Sequence, residues 1–291
     1  MTTSSPMLAL APGTTTVPGP GATTGLTFYL GTHHPGWLRT MGIPLFISDR
    51  RLRGYKLLPH ASGPWALDSG GFTELSTYGS WDHGPTPRQY ATRVRRYRDE
   101  IGHLAWAAPQ DWMCEPFITA RTGLPVAEHQ RRTITNLLAF RDLDPLLPVI
   151  PVLQGWTISD YLRCADLYEQ ARISLAAEPL VGLGSVCRRQ ATTAVHTLIG
   201  ALHARGITRL HGFGFKISGL VRSGHLLTSA DSMAWSYAAR RRPPLPGCET
   251  RHINCANCPR YAYQWHARVC ATLARPRDIQ LTLFTAEGGA A

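Results

Sequence analysis

The feature that most constrains this chain is a recurrence. From Leu26 onward, short apolar runs that end in polar or glycine clusters return along the sequence: Leu26–Leu30, Pro44–Ile47, Trp65–Leu67, Leu104–Ala107, Leu147–Leu153, Leu180–Leu183, Arg209–Phe213 and Leu226–Thr228. Runs of this length bounded by turn residues read as strands. Several are separated by stretches with apolar residues at helical spacing, at 86–100, 125–141, 157–176 and 189–205. Strands that alternate with helices pair in parallel, because only a crossover long enough to hold a helix returns the chain in the same direction. Eight such units fit an α/β fold of the (β/α)8 TIM-barrel type. A doubly wound open sheet is the structural rival. Against it, no G-x-G-x-x-G opens a helix near the N-terminus, and polar residues follow several different strands, as they do at a barrel mouth.

Composition sets the boundaries. Residues 1–24 are Thr, Pro, Gly, Ala and Ser with hardly a charge and are expected to form a disordered tail. Residues 25–240 are assigned to the barrel, and 241–291, which open on prolines and a cysteine cluster, to a small C-terminal zinc-binding module with a C-terminal helix. With 44% hydrophobic and 17% charged residues the chain as a whole is not disordered. No apolar run approaches the roughly 20 residues that cross a bilayer, and the first residues lack a basic and apolar leader, so the expectation is a cytoplasmic protein without a membrane partner. Thirty Lys+Arg against nineteen Asp+Glu leave a net charge of +11, which favours a polyanionic partner, nucleic acid first. Arg88, Arg93, Arg95, Arg96 and Arg98 on one helical stretch, and Arg240, Arg241 and Arg242, are the expected phosphate track.

The strand ends carry the chemistry. Asp68 ends the third run in LDSGGF, Asp111 follows the fourth in PQDWM, and Gln154 follows the fifth in QGW. Gly182-Leu183-Gly184-Ser185 lies at the sixth, His211-Gly212-Phe213-Gly214 at the seventh, and Asp231 in SADSM after the eighth. Each alone has an ordinary reading: Asp-Ser before a helix is a cap, and paired glycines are tight turns. Together, three acids, an amide and two glycine loops at successive strand ends form the constellation expected of a barrel active site. The Cys248-x6-Cys255-x2-Cys258 spacing is the strongest local signal, because C-x2-C presents two thiolates to one zinc ion. His266, on a helix begun by Pro259, is favoured as fourth ligand over His252, three residues before Cys255. A closed Cys3His site would make the Zn2+ structural. Cys114, Cys164, Cys187 and Cys270 read as core or incidental thiols.

The order of these motifs, DSGGF, Asp, Gln-Gly, Gly-x-Gly and a late Asp ahead of a cysteine cluster, resembles the tRNA-guanine transglycosylase superfamily from about Leu26 to the C-terminal helix. The compact length, the SADSMAWS context and the crowded C-x2-C are most similar to its deazapurine DNA-modification (DpdA-type) branch. The chain departs from the tRNA enzymes in the sequence around the late Asp and in the cysteine spacing. The resemblance implies a pentosyltransferase that exchanges guanine in DNA for a 7-deazaguanine base (preQ0-like) by double displacement. It implies Asp231 as covalent nucleophile, Asp68 as acid/base, Asp111 and Gln154 as readers of the base edge, Gly182, Leu183 and Gly184 as the backbone loop over the heterocycle, and Phe72 and His211 as side chains that sandwich it. The chemistry is coherent on its own terms, since exchange at a sugar carbon with retention needs two displacements and hence a carboxylate nucleophile. Three alternatives stand beside this: a tRNA-guanine transglycosylase, a hydrolase that only excises the base, and a non-catalytic zinc-containing nucleic-acid-binding protein.

Overall fold

The computed structural model describes residues 25–274, so the tail assigned to 1–24 and the last residues of the C-terminal segment lie outside the described residues. Its centre is an eight-stranded sheet, parallel throughout, in the order β4-β3-β2-β1-β8-β7-β6-β5. The strands are β1 (Thr27–Thr32), β2 (Leu45–Ser48), β3 (Trp65–Asp68), β4 (Leu104–Ala107), β5 (Val152–Leu153), β6 (Val181–Leu183), β7 (Leu210–Gly212) and β8 (Ser229–Ser232). The longer helices are α1 (Pro87–Ile101), α2 (Pro116–Thr122), α3 (Val126–Leu143), α4 (Ile158–Gln170), α5 (Thr193–Ala204), α6 (Ile217–Ser223), α7 (Ala234–Ala239) and α8 (Pro259–Leu273). No described helix is long and apolar enough to cross a membrane.

The sheet curls until its two edges touch. Ala107 of β4 donates its N–H to the Pro148 carbonyl at 2.8 Å and accepts from the Ile150 N–H at 3.1 Å, a parallel bridge between Ala107 and Val149. The fifth strand is shorter than the apolar run 147–153 suggests, because Pro148 and Pro151 have no N–H to give a ladder. A side chain patches the gap: the Tyr168 hydroxyl of α4 accepts from the Val152 N–H at 3.1 Å and donates to the Val152 carbonyl at 2.9 Å.

Alternation along the strands separates two apolar regions. Leu30, Ile47, Trp65, Leu67 and Ala230 face the helices, while Tyr29, Ala66, Trp106, Ile150 and Leu180 face the concave side with Phe46 and Phe213. The eighth strand differs from expectation. It is Ser229–Ser232, not the apolar 226–228, and so Asp231 lies within it. Its polar residues are tolerated inside because Ser229 and Asp231 both meet His211 across from β7.

The helices follow local rules. Thr86 and Gln89 form a reciprocal capping box, Pro87 takes the first turn, and Tyr90, Ala91, Val94, Tyr97 and Ile101 make the buried stripe of α1. Thr157 and Asp160 repeat the box on α4. That helix ends at Gln170, short of the expected 176, where Arg172 takes a left-handed φ of 60°. Four of the five arginines of α1 are engaged by acids. Arg93 pairs with Asp49, Arg95 with Asp144, Arg96 with Glu100 and Arg98 with Asp99, so acids that are distant in sequence or adjacent on the helix already meet this charge.

Asp49 shows how tightly this layer is held. Fully buried, it accepts from Arg93 Nη1 at 2.8 Å and from the Tyr97 hydroxyl at 2.9 Å. Asp49→Ala strands the Tyr97 hydroxyl, whereas Arg93 can rehydrate, and should cost about 2–3 kcal/mol in urea denaturation. Tyr97→Phe, which leaves the ion pair intact, should cost about 1 kcal/mol.

Candidate active site

Parallel strands send all their carboxyl ends to one rim, and the residues singled out by sequence gather there. β8 carries Asp231, which is buried and accepts from the Gly214 N–H at 2.9 Å through Oδ1. The same oxygen lies 3.3 Å from His211 Nε2, and His211 Nδ1 lies 2.9 Å from Ser229 Oγ. His211 is fully buried, 4.4 Å from the Trp106 ring centre and 4.7 Å from that of Phe213. It therefore stands under Asp231 and does not face the opening, where a sandwiching ring was expected. Burial pulls its pKa down against the opposing pull of Asp231.

Asp68 closes β3 and is followed by Gly70 at φ 85°, a conformation glycine adopts without strain. Desolvation pushes the Asp68 carboxyl up; the Gly70 backbone and the Ser48 hydroxyl counter this, and the negative charges of Asp231 and Asp49 add to it. Asp231 is thus close enough for its charge to oppose ionisation of Asp68. Phe72, 44% exposed, meets Phe117 edge-on at 6.2 Å, and Arg188 lies 4.4 Å over the Phe117 ring. An exposed aromatic pair with a cation therefore borders the site.

Asp111 and Gln154 come from the two sheet edges and meet. Gln154 Nε2 donates to Asp111 Oδ2 at 2.5 Å, and its Oε1 accepts from Ser185 Oγ at 2.7 Å. Desolvation first, and then the charge of Asp68, push Asp111 up to about 7, while the Gln154 amide pulls the other way. Gly182 of β6 and Gly184 just after it make room: a Cβ on Gly182 would sit 2.6 Å from the Phe213 ring, and one on Gly184 would collide with the Gln154 amide. Leu183, between them, faces the helix layer. Two residues here escaped the sequence reading. Glu115, four residues after Asp111, and Ser185, after the Gly-x-Gly, are buried and joined at 2.8 Å. The signal available was only proximity in sequence to residues already chosen.

A second cluster lies nearby in chain order. Sγ of Cys248, Cys255 and Cys258 and a ring nitrogen of His252 all fall within 4.8 Å of one another. His252 takes the position expected of His266. The turn Cys248–His252 folds His252 back, with Nε2 3.3 Å from Cys255 Sγ. His266 instead lies on α8 with Nε2 3.3 Å from the Phe28 carbonyl and its ring 5.9 Å from Phe28. Three thiols and an imidazole are a zinc donor set, and a tetrahedral ion with bonds of about 2.0–2.3 Å needs donors about 3.3–3.8 Å apart, so the cluster could hold a metal ion with little adjustment. The Leu245 N–H, 3.3 Å from Cys255 Sγ, is the kind of donor that steadies a ligating thiolate.

Carboxylates carried by β3 and β8 of a curled parallel sheet, with an acid and an amide beside them and a Cys3His cluster following, fit a transglycosylase-type α/β enzyme. The family model described as DpdA, DeoxyPurine in DNA protein A, matches residues 25–287, and the chain belongs to that family. None of the curated proteins matches the chain.

The raised Asp111 carboxyl has a stability consequence with a definite sign. Between about pH 4 and 7 the folded chain keeps a proton that the unfolded chain has shed, so this group lowers stability as pH rises through that window. Asp111→Asn, whose carbonyl still accepts from Gln154, should match the parent near pH 4 and exceed it near pH 8. The gain, read by denaturant titration at both pH values, should be on the order of 1–3 kcal/mol.

Proposed function

We propose that this protein is a DNA guanine transglycosylase that exchanges guanine for a 7-deazaguanine base by double displacement. The observation that carries the reading is the pair Asp68 and Asp231 at strand ends beside the Asp111–Gln154 contact, in a chain of the DpdA family. On this reading the curled sheet is a (β/α)8 barrel spanning 25–240, and the zinc-binding module with its helix follows from 241.

Asp231 attacks C1′ of the target nucleotide. The bond to guanine N9 breaks, Asp68 delivers a proton to the leaving ring, and an ester links Asp231 to the sugar. Gly214 N–H and His211 hold one oxygen of Asp231 and leave the other for attack. The incoming deazaguanine loses its N9 proton to Asp68, and its nitrogen displaces the carboxylate, which regenerates the enzyme with retention at C1′. A guanine edge offers N1–H and an amino group as donors, which an ionised Asp111 accepts. Gly182, Leu183 and Gly184 line the heterocycle with backbone, and Phe72 covers its exposed side. The duplex must release the base, at a cost of a few kcal/mol, and the exposed Arg188 and Arg240–Arg242 offer charge for the displaced strand's phosphates. A zinc ion on Cys248, His252, Cys255 and Cys258 would tie the 245–258 loop to the start of α8 and take no part in the exchange.

Two measurements test this. Radiolabelled guanine should enter DNA, faster in opened than in closed duplex, and Asp231→Asn should abolish both incorporation and any covalent adduct on denaturing gels; label in tRNA alone overturns the DNA assignment, and label in neither overturns transglycosylation. For the metal, purified protein should carry about one zinc per chain. His252→Ala should lose it to mild chelator and lower the melting temperature, while His266→Ala should keep it.

A further inference from the structure

One hydroxyl in the site is asked to make more bonds than it has protons. Ser185 Oγ accepts from the Cys114 N–H at 2.7 Å, and it lies 2.7 Å from Gln154 Oε1 and 2.8 Å from Glu115 Oε2. Both of those oxygens are acceptors when Glu115 is ionised, and a serine has one hydrogen to offer. The conflict disappears if Glu115 carries a proton. Its O–H then donates to Ser185 Oγ, Ser185 donates to Gln154 Oε1, and Gln154 Nε2 donates to Asp111 Oδ2, so that each donor has one acceptor. The chain of bonds has a direction, and it ends on Asp111 as a carboxylate.

The alternative arrangement moves the proton without removing it. If Glu115 were ionised, Ser185 would donate to it, and the Gln154 amide would turn its NH2 toward Ser185 and its oxygen toward Asp111. Asp111 would then have to be the protonated partner. Near pH 8 the two acids hold one proton between them either way, and the orientation of one amide reports which acid has it.

We propose that Glu115 is a positioning residue that determines base specificity: it holds the shared proton, and through Ser185 and Gln154 it keeps Asp111 an acceptor for the two N–H donors of a guanine-type edge. The link to base recognition rests on the transglycosylase reading above; the proton's location does not. The setting fits. Glu115 is 3% exposed and immediately precedes α2. Ser185 is held at φ 55°, an uncommon conformation for a serine, which aims Oγ between the two side chains. Facing Glu115 are Arg188 and Arg189, which favour its ionised form, and Asp111, Cys114, Cys187 and Tyr161, whose own ionisation it opposes. Burial outweighs the two arginines and pushes the carboxyl up.

The infrared carbonyl-stretch band of protonated carboxyl groups, recorded near pH 8, reads the proton directly in the full chain. Glu115→Gln should lose one carboxyl's worth of this band, and Asp111→Asn should keep it. A band unchanged in Glu115→Gln, or lost in Asp111→Asn, overturns the proposal whether or not the protein binds guanine. Where Glu115→Gln fails to fold, Ser185→Ala supplies the reading, since an acid deprived of its acceptor should shift the same band to higher frequency; an unmoved band overturns the proposal. The link to specificity is read by guanine affinity against pH. In the parent, affinity should fall at least tenfold once Glu115 ionises on the alkaline side. Glu115→Gln, whose amide donates to Ser185 at every pH, should bind within about threefold of the parent near pH 8 and shed that alkaline fall. An identical alkaline profile in both proteins overturns the specificity role. A parent with no guanine affinity but the expected infrared result overturns the transglycosylase reading and spares the proton assignment.

Discussion

The meeting of β4 and β5 is the contact on which the rest of the site depends. In sheet order these strands are the two ends, so an open version of the same sheet would set Asp111 and Gln154 farthest apart. Curled, the sheet joins them at Ala107 through two backbone bonds, and the side chains just beyond come within 2.5 Å. Two hydrogen bonds contribute only about 1 kcal/mol each. The closure is held instead by what packs outside it: α3 lies between α1 and α4, and α4 sends Tyr168 into the seam where proline has removed ladder donors. The apolar layer between sheet and helices thus holds the polar geometry at the rim.

That rim concentrates acids out of water. Asp68, Asp111 and Glu115 are all driven toward their neutral forms by desolvation, each to a degree set by its neighbours. Asp231 is treated differently, with a backbone N–H on one oxygen and a buried imidazole below it. Carboxyl groups in one site can take separate roles when their surroundings differ, and here burial, mutual charge and fixed donors make those surroundings differ. Gly182 and Gly184 belong to the same arrangement, because the space they leave on the concave side is taken by the Phe213 ring and the Gln154 amide.

Much of this was legible in the sequence because strands and rim acids announce themselves through pattern. Apolar runs located seven of the eight strands, and the ends of those runs marked where Asp68, Asp111 and Gln154 would emerge. What was not legible was contact. The eighth strand hid because Ser229 and Asp231 are satisfied by His211, a partner that only the folded sheet supplies. The arginines of α1 looked free because the acids that meet Arg93 and Arg95 lie 44 and 49 residues away. His252 lost to His266 in sequence because helix-borne ligands are familiar, whereas the tight turn after Cys248 that brings His252 back is a backbone conformation with no strong residue signature. Glu115 lacked a motif altogether and Ser185 stood out only as the end of a glycine loop; the competition for one hydrogen makes them conspicuous.

The position of β1 has a consequence for biosynthesis. This first strand is flanked by β2 and by β8, and α8 lies against it, with Trp265 5.7 Å from Phe28. One edge of β1 therefore waits for residues 229–232, and its outer face for 259–273. At translation rates of about 5–20 residues per second, the ribosome needs roughly 10–40 seconds to supply the matching strand. Throughout that interval a growing chain carries an apolar strand with one unpaired side, a target for chaperones. The cysteine loop, made next, is followed by the helix that covers it.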